Sequence, residues 1–145
     1  MPISAENRKR YPKDWQDIRA AILERAENRC EFCGVPNGAL IVRDHGPGGA
    51  TFTLVNTGAV HDATTGQHLG YAAKHELAGR KLTQVILTTA HLDHTPEHND
   101  PANLRALCCR CHLLHDAEHH RQSAWRHRRA AKAWGDLFDR LDPPF

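Results

Sequence analysis

The chain has 145 residues, which is enough for one domain with one modest core and argues against a second full domain. Apolar residues make up 40% and charged residues 25%, as in soluble globular proteins, and no apolar run approaches the roughly 20 residues that a membrane helix needs. The formal charge of +2 is too small to indicate a nucleic-acid partner. The distribution of the charges along the chain is more informative about such a partner than their sum.

The first 13 residues are polar and basic, and they predict an extended arm. Four cations lie in this segment: Arg8, Lys9, Arg10 and Lys13. The segment lacks the apolar stretch of a secretory signal, so we expect a cytoplasmic protein. Because the cytoplasm is reducing, five cysteines are poor disulfide candidates and metal binding is the better interpretation.

A helix and a first metal-binding turn are predicted over residues 14–34. Asp14 is a plausible N-cap for a helix that runs to about Asn28. Its apolar residues recur at three- and four-residue spacing on one face: Trp15, Ile18, Ile22, Leu23 and Ala26. The next segment, RCEFCG, places Cys30 and Cys33 in a C-x-x-C motif followed by Gly34. A glycine there permits the tight turn in which backbone amides donate to thiolates, as in a zinc knuckle.

Residues 35–80 form an insertion with a different composition. Glycine and proline recur around short β-rich pieces such as TFTLV at 51–55, which predicts one or two hairpins or a long ordered loop. Its four histidines show no ligand spacing, and we interpret them as surface or hydrogen-bonded residues: His45, His61, His68 and His75.

The second half of the metal site and a probable hairpin and helix follow at 83–133. We predict a strand over 83–90, a turn over 95–101, a short strand over 104–107 and a helix from 109–111 to about 133. Residues 135–145 are expected to be a tail, because its two prolines cannot continue a helix.

A second C-x-x-C motif, Cys108 and Cys111, lies at the start of that helix. Together with Cys30 and Cys33 it has the composition of a closed tetrahedral zinc site. Residues 34–107, 74 in number, separate the two pairs, far more than the roughly 15–20 of a compact zinc finger, so the metal would join distant parts of the chain. Cys109 competes with Cys108 as a ligand; the spacing to Cys111 favours Cys108 and leaves Cys109 packed at the junction of strand and helix.

Four motifs give the chain a resemblance to a known family. His94, Asn103 and His112 stand in the order H, N, H, with Asp93 beside the first. Here the chain resembles the HNH nucleases, also called His-Me finger or ββα-metal nucleases. It also looks like a zinc-containing phage and bacterial subgroup with Y-P-x-x-W, R-C-E-x-C-G, A-H-L-D-H and N-L-R-A-L-C-x-R-C-H. The resemblance covers roughly residues 11–36 and 83–130, and it does not extend to the insertion.

The resemblance implies an α+β fold and a catalytic site. The fold would combine a small ββα-metal finger, a four-cysteine zinc knuckle, an N-terminal helix and the β-rich insertion in a single domain over 1–145. His94 would be the general base, since an imidazole with an unperturbed pKa of about 6.5 accepts protons near neutral pH. Asp93 and His112 would hold Mg²⁺ or another divalent metal, and Asn103 would pin the loop that carries the base.

The sequence also bears on which side chains can reach the metal. Adjacent residues of a strand point to opposite faces, so in a strand Asp93 and His94 would serve metal and water separately. His91, two residues before Asp93, and Asp116, four residues after His112, are further candidate ligands.

The activity implied is metal-dependent hydrolysis of DNA, with double-stranded DNA expected, in a bacterial or phage-infected cell. No acidic residue lies between His119 and Trp134, and we expect the cations there to follow the phosphate backbone: Arg121, Arg126, Arg128, Arg129 and Lys132. One alternative is a zinc-stapled DNA-binding module whose nuclease site is inactive. Another is an interaction protein of a phage packaging or mobile-element machine. The oligomeric state stays open.

Overall fold

The computed structural model describes residues 4–46 and 49–139, with side chains described over 4–44 and 50–133. The chain is a mixed α+β protein, as predicted, with a five-stranded antiparallel sheet, a two-stranded sheet and a long C-terminal helix. Its contacts divide it into two units, Met1–His112 and Leu113–Phe145. The first unit contains both sheets and the first residues of the long helix.

The N-terminal segment begins with a short helix, α1 (Ala5–Arg8), so the prediction of an extended arm is wrong for these residues. The cause is a cap that the sequence carries, since the hydroxyl of Ser4 accepts the N–H of Asn7 at 3.3 Å. Residues 1–3 lie outside the described part of the chain.

The predicted helix after residue 14 is present as α2 (Trp15–Arg25). Asp14 occupies the N-cap position, but its side chain makes no capping hydrogen bond. The helix ends earlier than predicted because Glu27 and Asn28 both adopt the left-handed conformation, with φ of 53° and 56°. Its apolar face packs against the core, with Ile22 buried and Trp15 partly buried.

The insertion folds into most of the larger sheet. Its strands are β1 (Leu40–Gly46), β2 (Gly49–Leu54), β3 (Ala59–Asp62) and β4 (His68–Tyr71), followed by the short helix α3 (Lys74–Leu77). They form an antiparallel meander in the order β4-β3-β2-β1, and β5 (Leu82–Gln84) adds to β1 at the other edge. The predicted hairpins are therefore parts of one continuous sheet.

The strand predicted over 83–90 is divided between two sheets. Its start belongs to β5, whereas its end forms β6 (Thr88–His91), which pairs antiparallel with β7 (Leu104–Leu107). The chain crosses from one sheet to the other at 85–87, where Val85 N–H donates to the carbonyl of Ala39 at 2.8 Å and Leu87 N–H donates to Asn37 Oδ1 at 3.0 Å. Because these partners satisfy the backbone, an apolar run that resembles one strand can change sheets without burying unpaired amides.

The core lies between α2, the β6–β7 hairpin and one face of the larger sheet. It contains four of the cysteines and a set of almost fully buried apolar side chains: Val35, Ile41, Phe52, Leu87, Leu104 and Leu107. A short 3₁₀ turn, Pro101–Asn103, leads into β7. The four cysteines are therefore placed in the core itself rather than in a surface finger.

The last element is α4 (Cys109–Asp139), which begins where the sequence predicts and continues beyond residue 133. Over residues 113–133 this helix exposes nearly all of its side chains, and Arg129 lies over the ring of Trp125 at 4.9 Å from the centroid. The predicted tail at 135–145 overlaps the helix to residue 139, and 140–145 lie outside the described residues. Within the described part of the chain, no helix has both the length and the apolar character for crossing a membrane.

Candidate metal centre and candidate active site

The four cysteines of the two C-x-x-C motifs converge on one point in the first unit. The sulfur atoms of Cys30, Cys33, Cys108 and Cys111 all lie within 4.8 Å of one another. Cys33 Sγ and Cys108 Sγ are 3.7 Å apart. A tetrahedral ion with metal–sulfur bonds of about 2.3 Å would space its sulfurs by about 3.8 Å, and a disulfide needs about 2.05 Å. The cluster therefore fits a metal ion such as zinc, and all four cysteines are buried.

The local backbone explains how the first pair is presented. Gly34 has φ of 75° and donates its N–H to the carbonyl of Cys30 at 2.8 Å, which closes the turn between the two cysteines. The N–H of Cys108 donates to Cys30 Sγ at 3.4 Å, a bond from backbone to sulfur that favours a thiolate. The β3–β4 turn approaches the same place, since a Cβ on Gly66 would lie 2.5 Å from the carbonyl oxygen of Cys33.

The thiols perturb one another in opposite directions. Hydrogen bonding from Cys111 lowers the pKa of Cys108 to about 6, and hydrogen bonding from Cys108 lowers the pKa of Cys30 far below its ordinary range. The pKa values of Cys33 and Cys111 are raised, in both cases chiefly by Cys108. Sulfurs this close cannot all be anionic unless a cation neutralises them, so the arrangement suits a divalent ion.

A charged clamp joins the first cysteine turn to the β6–β7 hairpin. Glu31, between Cys30 and Cys33, accepts the N–H of Ala106 at 2.7 Å and donates its own N–H to the carbonyl of Ala106 at 2.8 Å. Arg25 binds the Glu31 carboxylate at 2.9 Å and donates to the carbonyl of Leu104 at 2.7 Å. Sequence reasoning missed this clamp, because an Arg and a Glu six residues apart carry no signal for a contact with a strand 75 residues away.

The loop between β6 and β7 is fixed by Asn103. Its Nδ2 donates to Asp93 Oδ1 and to the carbonyl of His98, both at 2.9 Å, and its Oδ1 accepts the N–H of Asp93 at 3.2 Å. Asn103 is 8% exposed, so these bonds are shielded from water. The side-chain amide of Asn103 therefore holds both ends of the turn at 93–98, the loop that it is expected to pin.

Asp93 is further bound by a histidine that sequence reasoning did not single out. His98 Nδ1 lies 2.6 Å from Asp93 Oδ2, and the N–H of Thr95 donates to Oδ1 at 2.9 Å. Hydrogen bonds from His98, then from Asn103, hold the pKa of the Asp93 carboxyl well below its usual range. The contact forms across a turn at Pro96, and no spacing rule predicts it.

His94 follows Asp93 in the left-handed conformation, with φ of 59°. For a residue other than glycine this backbone is strained and is enriched at functional sites. The strand β6 ends at His91, so Asp93 and His94 lie in a turn and the argument from alternating strand faces does not apply to them. The turn sets the backbone of both residues, and Asn103 also fixes the carboxylate of Asp93.

His112 stands in the first turn of α4, and Thr88 of β6 orients its ring. The hydroxyl of Thr88 lies 2.9 Å from His112 Nδ1 and donates to the carbonyl of Leu107 at 3.3 Å. When the single proton of this hydroxyl goes to the Leu107 carbonyl, the hydroxyl accepts from His112, and in that tautomer the imidazole proton is on Nδ1. Nε2 is then the nitrogen with the lone pair, the form in which histidine binds a metal.

His91, a candidate ligand, is held in an aromatic cluster. Its ring stacks on Trp15 with centroids 5.3 Å apart and meets the edge of Tyr11 at 5.8 Å. Its Nε2 lies 2.9 Å from Asn99 Oδ1, an acceptor, so that nitrogen carries a proton. At 8% exposure these are the contacts of a buried structural histidine.

The N-terminal segment also holds the loop. Arg10 forms an ion pair with Glu97 at 2.6 Å, and this hydrogen bond lowers the pKa of Glu97 below its ordinary value. The Y-P-x-x-W motif at 11–15 therefore belongs to the surroundings of the loop through Tyr11, Trp15 and the adjacent Arg10.

The remaining predicted site residues are on α4. Asp116 belongs to the second unit, and its carboxylate lies 3.9 Å from His120 Nε2 one helical turn later. The five cations predicted to contact DNA belong to the same unit and are exposed: Arg121, Arg126, Arg128, Arg129 and Lys132. Cys109 is exposed, so the prediction that it packs at the junction is wrong; the start of α4 turns its side chain away from the core that takes Cys108 and Cys111.

Comparison of the chain with protein-family models, with characterised proteins and with solved structures found no match.

Proposed function

We propose that the chain is a metal-dependent HNH endonuclease that hydrolyses DNA phosphodiester bonds. The observation that carries the proposal is the loop of the β6–β7 hairpin, in which Asn103 fixes Asp93 and the next residue, His94, has a left-handed backbone, while Thr88 contacts Nδ1 of His112 at the start of α4. A hairpin followed by a helix, with these residue types in these positions, is what a ββα-metal finger requires.

In this proposal Asp93 and His112 hold one divalent metal, Mg²⁺ or another. A carboxylate has about four lone-pair sites, and Asp93 uses three of them to accept from Asn103, Thr95 and His98. One site on Oδ2 therefore remains for an ion. The donor set, one hard oxygen and one imidazole nitrogen, suits a divalent cation that keeps other positions for water and phosphate.

Proton transfer and positioning would be carried out by residues of the chain. His94 accepts a proton from the attacking water, and its left-handed backbone sets the direction from which it does so. Asn103 keeps the turn rigid, so that the base and the carboxylate hold their relative positions. The cation, when bound, would neutralise charge on the phosphate and on the leaving 3′ oxygen.

The four-cysteine cluster is proposed to hold structural zinc, because four buried thiolates leave no open position for a substrate. The exposed cations of α4 are proposed to contact the phosphates of double-stranded DNA. Both proposals agree with a cytoplasmic protein of a bacterial or phage-infected cell.

A plasmid assay tests the nuclease. Purified protein is incubated with supercoiled plasmid and Mg²⁺, Mn²⁺ or Ni²⁺, and nicked and linear products are separated on a gel. We expect cleavage that a chelator stops, that His94→Ala abolishes and that His75→Ala retains, since His75 is an exposed residue of α3. Cleavage by His94→Ala at the wild-type rate would refute the assignment of the base.

The second candidate is a zinc-stapled DNA-binding module with an inactive nuclease site. The basic, exposed surface of α4 favours it, because this surface accounts for DNA binding without any catalysis. A gel-shift assay with the same plasmid fragments separates the two functions. Salt-sensitive binding without cleavage in any of the three metals would support the module over the enzyme.

A further inference from the structure

A half-buried arginine from the insertion lies against the four-cysteine cluster, with part of its guanidinium removed from water. Arg43 is on β1, two residues after Ile41, so both side chains point to the same face of the sheet. Ile41 is fully buried in the core that contains the cysteines. The Nη2 of Arg43 donates to Cys108 Sγ over 3.8 Å, and its Nη1 is buried with no hydrogen-bond partner.

A guanidinium in this position requires an explanation. A guanidinium nitrogen is rarely removed from water unless an opposite charge lies beside it, and an uncompensated buried charge is costly. Within the described part of the chain, Arg43 forms no ion pair with a carboxylate, and its guanidinium donates to the sulfur of Cys108. A neutral thiol is a weak acceptor and would compensate little of that cost.

Anionic sulfurs would offset the cost of removing the guanidinium of Arg43 from water. Four thiolates around one divalent ion carry a net charge of −2, which the ion alone does not neutralise. A guanidinium in contact with one of these thiolates offsets part of that charge and donates a charge-assisted hydrogen bond to it. We propose that Arg43 is the charge-compensating residue of the metal centre and stabilises the metal-loaded tetrathiolate by donating to Cys108.

This inference rests on the metal centre proposed above, and it does not depend on nuclease activity. It also assigns a function to part of the insertion, the segment for which no family resemblance was found. The insertion would supply both a wall of the core, through Ile41, and the cation that the cysteine motifs themselves do not provide.

The test compares zinc affinity among matched variants. Arg43→Met keeps an unbranched apolar side chain without the charge, and Arg43→Lys keeps the charge. The control, Arg80→Met, removes an exposed arginine that pairs with Asp44, the residue after Arg43 in β1. Affinity is measured by competition with a chromophoric chelator. Thiolate-to-metal charge-transfer absorption of the Co²⁺-substituted protein reports whether four thiolates still bind.

We expect Arg43→Met to weaken zinc binding by about 10- to 100-fold, the usual effect of losing a partner of a metal ligand. Arg43→Lys should retain most of the affinity, and Arg80→Met should match the wild type. Equal affinity of Arg43→Met and wild type would overturn the proposal, because the arginine would then act only in packing. Failure of the wild type to bind Zn²⁺ or Co²⁺ at all would overturn it together with the metal centre.

A second variant keeps the test decisive if Arg43→Met does not fold. Arg43→Gln retains an N–H donor but not the charge, so charge compensation predicts a weakened affinity with Co²⁺ absorption still present. Unchanged zinc affinity of Arg43→Gln would again overturn the proposal. The plasmid assay takes no part in this experiment, so a failure of the nuclease proposal is seen separately.

Discussion

Removal of the Glu31 carboxylate should destabilise the first unit by a predictable amount. In Glu31→Ala the N–H of Ala106, a residue with no exposed surface, loses its acceptor at 2.7 Å. An unsatisfied buried amide costs about 1–3 kcal/mol. The ion pair with Arg25, whose side chain is 37% exposed, adds only about 0.5–1 kcal/mol after screening by solvent. We therefore expect a loss of roughly 2–4 kcal/mol in the free energy of unfolding.

Urea unfolding of the metal-loaded protein, followed by far-UV circular dichroism, measures this loss. With a slope of about 2 kcal/mol per molar urea, the midpoint should fall by about 1–2 M. Glu31→Gln keeps an oxygen acceptor for Ala106 and loses only the charge, so it should show the smaller part of the effect. Glu24→Ala removes an exposed glutamate of α2 and should stay within about 0.5 kcal/mol of the wild type. If Glu31→Ala unfolds at the same midpoint as Glu24→Ala, the clamp contributes nothing and the reasoning is wrong.

Three further outcomes are expected. Cys108→Ser should lose bound zinc in elemental analysis, whereas Cys109→Ser should retain about one ion per chain, because Cys109 is exposed. Asn103→Ala should abolish plasmid cleavage and lower the free energy of unfolding by roughly 1–3 kcal/mol, with zinc content unchanged; full activity would contradict the pinning role. Glu97→Gln removes the ion pair with Arg10, which lowers the pKa of Glu97 below its ordinary 4.5. A lowered folded-state pKa stabilises the protein above the unfolded value, so the thermal stability of the wild type relative to Glu97→Gln should shrink as pH falls below about 4.5 and should be largest near pH 6. A pH-independent difference would contradict this.

The parts of the structure that follow from local spacing were predictable. Two residues between cysteines suffice to place both sulfurs on one side of a tight turn, so the two C-x-x-C motifs indicated one cluster despite the long chain between them. The three- and four-residue spacing of Trp15, Ile18 and Ile22 likewise predicted α2.

The parts that depend on contacts between distant segments were not predictable. The run at 85–87 is apolar like a strand, yet it crosses between sheets because Asn37 and Ala39 satisfy its amides. The bond from His98 to Asp93 depends on a turn whose geometry Asn103 imposes from outside it. In each case the deciding partner lies in another element, and neither periodicity nor residue type identifies it.

The insertion could not be placed from sequence for the same reason, because its position depends on contacts with distant segments. A metal ion in the four-cysteine cluster would strengthen these contacts by joining the two ends of the insertion. A metal bound by both cysteine pairs closes a loop of about 75 residues, and a cross-link of that length removes about 4–5 kcal/mol of conformational freedom from the unfolded chain. The segment between the two cysteine pairs packs against the cysteines that enclose it. Arg43 contacts Cys108, and Gly66 lies against Cys33. Arg110, beside Cys111, donates to the carbonyl of Ala63 at 2.8 Å. The larger sheet is therefore a wall of the metal centre, and loss of the metal would loosen the sheet together with the hairpin that carries Asp93 and His94.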